Sequence, residues 1–372
     1  MNFDLSETQE LFHSTVERFT RDVDVAAREK IRAASNAYDT RRWSELAELG
    51  LLAIAAKEEQ GGLEGSLIDL STIAEALGSN NALDPWLENG ALPIRILSKA
   101  NDTQILNSLL DGSKIAALAS AEPNSRYNLM PSETLAIEAD GGKGISLNGQ
   151  KNFITGGALA DYLLVTAKQD KSFGIYCVPA NSKGISSRQY RLSDGSLATS
   201  ISMTEVEVAA DSKLGIDYQE FQELIAEACV LCSSEMLGLS QLLLNETISY
   251  VKEREQFGVS IGSFQSIQHG LVDCFSELEL MRSMLYRTLL LEKNDNSVER
   301  NNGSADWCAN VLGAKSFIAE GANLIARNAV QYHGAMGITD EVAIGHALKR
   351  ILVLARMFGD ACNNLNSYSA VA

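Results

Sequence analysis

Ile145-Ser146-Leu147-Asn148-Gly149-Gln150-Lys151-Asn152-Phe153-Ile154 reads as a strand, and Thr155-Gly156 closes it. It lies in a run from Ile115 to about Leu214 whose apolar period is short. Further strands are expected at 115–120, 134–139, 162–168, 173–179, 185–191 and 200–208. Turns such as Asp140-Gly141-Gly142 and Asn181-Ser182-Lys183-Gly184 separate several of them. On either side the period is helical. Before the run, helices are expected at 3–31, 40–56, 66–78 and 102–111, with a turn at Gln60-Gly61-Gly62. After it they are expected at 217–254, 263–292, 305–332 and 340–367, with a loop from Lys293 to Ala305. The expected fold class is α+β and multidomain: a helical domain over 1–114, a β-domain over 115–216 and a helical domain over 217–372.

Composition sets the outer bounds. The 372 residues suffice for two or three domains or one large one, and 45% hydrophobic content with five prolines suits a helix-rich globular chain. The formal net charge of −17 argues against nucleic acid as a main partner, since phosphate neutralisation draws on surplus Lys and Arg. It does not exclude an anionic ligand, which local arginines and helix N-termini can hold. Of the cysteines 177, 229, 232, 274, 308 and 362, only Cys229 and Cys232 are close, in an apolar stretch with no second pair. They are expected to be buried helical thiols, and no metal site is expected. The N-terminus is polar and acidic, with no signal peptide in view, and no apolar run suggests a membrane span. A cytoplasmic location is the expectation.

Five segments, in order along the chain, together resemble the acyl-CoA dehydrogenase family. They are Trp43-Ser44-Glu45-Leu46-Ala47-Glu48-Leu49-Gly50 with Glu75-Ala76-Leu77-Gly78; Ala119-Ser120-Ala121-Glu122-Pro123; Leu147 to Gly156; Tyr250-Val251-Lys252-Glu253-Arg254-Glu255-Gln256-Phe257-Gly258; and Gln331-Tyr332-His333-Gly334-Ala335-Met336-Gly337. The resemblance implies a helical domain, a barrel-like middle β-domain and a C-terminal four-helix bundle. It also implies α,β-dehydrogenation of an acyl-CoA thioester to a trans-2-enoyl-CoA. That chemistry needs a base for the α-proton, donors for the thioester oxygen and a hydride acceptor that no side chain provides. The family's acceptor is FAD.

By resemblance Leu118, Ser120 and Ala121 flank the flavin, Phe153 stands where a Trp frequently covers the ring, and Thr155 supplies a hydroxyl. From residues alone, Phe153 and Thr155 read as part of a strand with one face buried. Arg254 is implied to meet the FAD pyrophosphate, with Phe257 and Gln265 on the adenosine side; its plain alternative is a solvated charge between Glu253 and Glu255. Gln331, Gly334 and Ala335 match a loop that approaches the FAD of a neighbouring subunit.

The sequence departs from the family at the base. The usual C-terminal Glu position falls on Phe358, and the alternative position, earlier in the bundle, falls on Ala228. Glu235, two helical turns beyond Ala228, is a candidate base or a structural carboxylate, and Glu227, adjacent to Ala228, points about 100° away from that face. Asp360 is a candidate base or a helix cap. Arg126 stands in an altered loop and is a candidate for an anionic substrate group, or a solvated arginine.

Two readings follow. One is a homotetrameric enzyme passing electrons to an electron-transfer flavoprotein. The other is a base-lacking subunit of an α2β2 complex with a homologous chain, a type that often acts on bulky lipid or steroid substrates. A flavin oxidase using oxygen directly is a third.

Overall fold

A computed structural model describes residues 5–21, 23, 25–34, 38–138, 144–294 and 303–371. The expected Asp140-Gly141-Gly142 turn, and 295–302 of the expected loop, lie outside them. The chain opens with helices α1 (Glu7–Thr20), α2 (Val25–Ala33), α3 (Thr40–Glu48), α4 (Leu67–Ser79), α5 (Leu92–Lys99) and α6 (Thr103–Leu110). Strands follow: β1 (Ala116–Ala119), β2 (Leu135–Glu138), β3 (Gly144–Thr155), β4 (Tyr162–Gln169), β5 (Ser172–Pro179), β6 (Ile185–Arg191), β7 (Leu197–Ala209) and β8 (Lys213–Leu214). Then come α7 (Tyr218–Glu253), a small hairpin of β9 (Glu255–Gln256) and β10 (Val259–Ser260), α8 (Gln265–Asn294), α9 (Gly303–His333), α10 (Ala343–Leu354) and α11 (Ala361–Ser369). The helical, β, helical order and the α+β class agree with expectation.

Three helices differ from it. The expected helix 3–31 is two, one ending at Thr20 and the next beginning at Val25. The expected helix 40–56 stops at Glu48 because Gly50, at φ +74°, takes the left-handed turn beyond its end. The expected helix 340–367 breaks between Leu354 and Ala361, where Phe358 and Gly359 have φ of +56° and +118°. A π-helical turn at Trp86–Ala91, running into α5, was not expected, because those six residues are all buried and show no polar face.

The molecule divides into two compact units. One comprises Met1–Lys30, Leu67–Leu83 and Ala226–Ala372. Here α4 and α7 cross with backbones in contact. A Cβ on Gly238 would sit 2.0 Å from the Glu75 carbonyl oxygen, and one on Gly78 would sit 2.2 Å from that of Glu235. At the same crossing the Ser71 and Ser234 hydroxyls are 2.7 Å apart. Cys229 and Cys232 are buried on α7 and not joined in a disulfide, in line with the expected buried helical thiols. Among the described residues one helix, α7, is long and apolar enough to cross a membrane by length and composition, but 83% of its apolar window is buried within the protein, so it is a core helix.

The other unit comprises Ile31–Ser66 and Asp84–Ile225. Its sheet runs β6-β7-β3-β2-β4-β5-β8, with β1 beside β4. The β1–β4 and β2–β4 pairs are parallel and the others antiparallel. Leu147, Val165, Val178, Met203 and Val206 centre its core. β1 is buried along its whole length, so it reads as a short apolar run rather than an alternation.

Candidate functional site

Lys151 anchors the site in the sheet unit. It follows Ile145, Leu147 and Gly149 at a spacing of two, which turns its side chain into the core. A lysine there requires an acceptor set, since an unpaired buried charge is prohibitively costly. Its Nζ donates to Glu122 Oε1, Thr166 Oγ1 and the Ser120 carbonyl, each at 3.1 Å. Glu122, fully buried in its side chain, also accepts from the N–H groups of Ser132 (2.8 Å), Glu133 (2.9 Å) and Thr134 (2.9 Å). Burial works to raise the Glu122 pKa. The Ser132 hydrogen bond, the Lys151 charge and the Glu133 and Thr134 N–H groups outweigh it and bring it down to about 2. Burial pushes Lys151 down to about 8, against the pull of Glu122. This pair fixes the end of β1 and the segment beyond it. Asn152 N–H adds a 2.8 Å bond to the Ala121 carbonyl, so Ser120 and Ala121 are tied to β3.

Between Lys151 and Ile154 the ladder with β7 slips: Lys151 faces Ile201, Ile154 faces Thr199, and Asn152 and Phe153 share Ser200. This bulge re-aims the chain. Phe153 adopts φ +51°, uncommon for a bulky side chain, and the residue is 66% exposed. Thr155 is half-buried opposite Ala198, and the Gly156 carbonyl is held at 3.2 Å by Asn89 Nδ2. The structure therefore brings Ser120, Ala121 and the 152–155 segment together, with Leu118 buried one turn of the pleat earlier on β1. Arg126 is exposed at φ +52°, in the turn after Pro123.

In the helical unit, Arg254 ends α7 and is exposed. The β9–β10 register leaves Phe257-Gly258 as a two-residue turn, with φ of +56° and +81°. Such a turn demands positive φ at both positions, which puts Phe257 in a strained conformation with its side chain 92% exposed. Gln265 begins α8, exposed. Gln331, Gly334 and Ala335 are exposed where α9 gives way to a tight turn. Buried His333 stacks on Tyr250 at 4.2 Å between ring centres, which ties that turn to the end of α7 near Arg254. Gly334, at φ +63°, has open space around the position a Cβ would take.

The candidate bases are otherwise engaged. Arg350 grips Glu235 with two parallel bonds, Nε to Oε1 at 2.6 Å and Nη2 to Oε2 at 3.0 Å. Both side chains are nearly buried, at 12% and 11% exposure. Asp360 is the N-cap of α11 and accepts from Asn363 N–H at 2.9 Å. Ala228 is buried, and Glu227 is half-buried and partnered. Phe358, half-buried at φ +56°, occupies the turn that Lys315 braces by donating to the Gly359 carbonyl at 2.8 Å.

Family models for the N-terminal, middle and C-terminal domains of acyl-CoA dehydrogenase match residues 6–102, 117–209 and 219–362. The chain belongs to the acyl-CoA dehydrogenase family. A probable acyl-CoA dehydrogenase of Bacillus subtilis (strain 168), YngJ, is 26% identical over 367 residues, covering 94% of this chain and 93% of its own. Among solved structures, the ChsE4-ChsE5 complex from Mycobacterium tuberculosis matches with a TM-score of 0.88 at 22% identity, covering 100% of this chain and 98% of that one. An acyl-CoA dehydrogenase complexed with FAD from Bacillus anthracis matches with a TM-score of 0.88 at 22% identity, covering 97% of this chain and 65% of that one. Acyl-CoA dehydrogenases are FAD-dependent oxidoreductases, and α,β-dehydrogenation of an acyl-CoA is the reaction of this chain's family.

Sequence reasoning missed the Glu122–Lys151 pair, although a lysine at an inward strand position was a usable signal. It also missed Arg350 and Tyr190, whose partners are remote in sequence.

Proposed function

We propose that this acyl-CoA dehydrogenase-family chain works in α,β-dehydrogenation as a flavin-holding subunit whose catalytic base comes from a homologous partner subunit. The observation that carries the reading is the Glu235–Arg350 pair. A carboxylate gripped by a two-pronged guanidinium is a poor proton acceptor, because protonation would give up that charge-assisted pair between two nearly buried side chains. Asp360 is engaged in capping, and the two positions where family members carry the base hold Phe358 and Ala228. The fold likeness to a two-component complex supports the same reading.

The residues present fit FAD. An exposed Phe153 on the sheet unit offers a stacking face beside Ser120, Ala121 and Thr155, and the helical unit offers exposed Arg254, Phe257 and Gln265 with the open Gly334 turn. FAD, when bound, supplies the hydride acceptor that no side chain provides. Leu118, Ser120, Ala121, Phe153 and Thr155 orient the ring. Arg254 meets the pyrophosphate, and Gln331, Gly334 and Ala335 approach the flavin of a neighbouring subunit. Arg126 takes an anionic group of the substrate. The assembly is α2β2, its substrate is a lipid or steroid acyl-CoA, its electrons pass to an electron-transfer flavoprotein, and it is cytoplasmic.

The test is the visible spectrum of the chain, alone and co-purified with a base-bearing homologue, before and after adding a panel of acyl-CoAs. Bleaching only in the co-purified form is expected. Bleaching by the chain alone would overturn the proposal and restore the homotetramer, with Glu235 or Asp360 as base.

A further inference from the structure

The bulge at Asn152-Phe153 takes the Phe153 N–H out of the β3–β7 ladder. That N–H is nevertheless satisfied, by a side chain two strands away. Tyr190 on β6 faces Ala198 of β7, reaches across that strand, and accepts the Phe153 N–H on its hydroxyl oxygen at 3.1 Å. The two rings also meet edge to face, with centres 6.1 Å apart and planes at 89°. Tyr190 thus touches both parts of Phe153 that a positive φ leaves adrift, the amide and the ring. Left-handed backbone at a bulky residue is disfavoured and persists only where the surroundings over-determine it. Tyr190 provides that surrounding, since Phe153 is 66% exposed and has little other packing.

We propose that Tyr190 is a positioning residue for the flavin: by binding the Phe153 amide and bracing its ring, it holds Phe153 as a preset lid over the bound ring system. The inference rests on the reading of Phe153 as the flavin-covering side chain. It goes beyond that reading in assigning a role to β6, a strand that no part of the family resemblance singled out. Presetting matters because a ring free to rotate loses conformational freedom each time flavin binds, and that loss is subtracted from affinity.

The test uses Tyr190→Phe, which keeps the ring and deletes the acceptor, together with Phe153→Ala and the double variant. Hydrogen exchange at the Phe153 amide, read on the protein as purified, is expected to accelerate in Tyr190→Phe. FAD affinity, read by fluorescence quenching on the flavin-loaded protein or its assembly, is expected to weaken about fivefold, the worth of one hydrogen bond. In the Phe153→Ala background, Tyr190→Phe should change affinity no further. If Phe153→Ala leaves affinity and flavin fluorescence unchanged, the reading of Phe153 over the flavin fails, and this inference with it. If Phe153→Ala weakens binding but Tyr190→Phe alters neither exchange nor affinity, only the role of Tyr190 fails. A protein that binds no flavin in any form overturns both.

Discussion

Replacing Glu122 with Gln keeps the shape of the side chain and removes its charge, and the consequences can be worked from its hydrogen bonds. Oε2 accepts from Ser132 N–H, Ser132 Oγ and Glu133 N–H, while Oε1 accepts from Thr134 N–H and Lys151 Nζ. An amide has only one oxygen. Whichever way it is turned, its NH2 group faces donors, and Lys151 is left buried without an anion. Breaking one side of a buried pair costs about 3–5 kcal/mol. In local terms, exchange of the Ser132, Glu133 and Thr134 amides should accelerate at least ~100-fold at pH 7. Hydrogen exchange resolved on peptides spanning 128–136 measures this without requiring the whole chain to unfold in one step.

The pH dependence carries a sign. The folded Glu122 has its pKa lowered from 4.5 to about 2, so its contribution is complete above 4.5 and is lost as pH falls through about 2. The amount is about 3 kcal/mol, at 1.36 kcal/mol per pH unit. Wild-type protection of these amides, corrected for intrinsic exchange, should therefore fall between pH 4.5 and 2, and the Gln variant should lack that limb. Adding Lys151→Met to Glu122→Gln should recover part of the loss, because it removes the stranded charge. Unchanged exchange in Glu122→Gln, or an acid limb identical to wild type, would refute the assignment of this pair as the anchor of the 120–121 segment.

Three other outcomes follow from the same structure. Gly238→Ala drives a methyl to within 2.0 Å of the Glu75 carbonyl and should destabilise the helical unit by about 3 kcal/mol, seen as a lower urea midpoint, whereas an exposed Ser283→Ala should move it by less than about 0.5 kcal/mol. Glu235→Gln should destabilise by about 3 kcal/mol and leave acyl-CoA bleaching of the assembled enzyme intact; lost bleaching in a folded, flavin-loaded variant would make Glu235 the base. Asp360→Ala should lower stability by about 1 kcal/mol and Asp360→Asn by a few tenths, both without slowing substrate bleaching, as thermal unfolding and rapid-mixing absorbance will show.

What the sequence disclosed and what it withheld divide along a physical line. β4, β5, β6 and α7 fall within a residue or two of expectation, β4 and β5 because each is a short buried apolar run with polar ends and α7 because its apolar pattern is long. Trp86–Ala91 and α5 are buried on nearly every side and have no period to show. The break before α11 was readable in part, since Phe358-Gly359-Asp360 places a glycine just before a capping aspartate. The bulge at Asn152-Phe153 was not, because the residue that stabilises it stands 37 positions away on β6.

The same line runs through the question of the base. Motif positions showed that Phe358 and Ala228 cannot accept a proton, and helical spacing made Glu235 a candidate either for the base or for a structural carboxylate. Spacing says which face of a helix a carboxylate occupies, but its basicity depends on what occupies the other side of the contact. Here that is Arg350, 115 residues on, delivered by α10. A guanidinium bound through two nitrogens stabilises the carboxylate only while it is charged, so each step toward protonation costs the energy of the pair. A base that must accept a proton in turnover gains nothing from such a partner, whereas a subunit relieved of that task can keep the pair to lock α7 against α10.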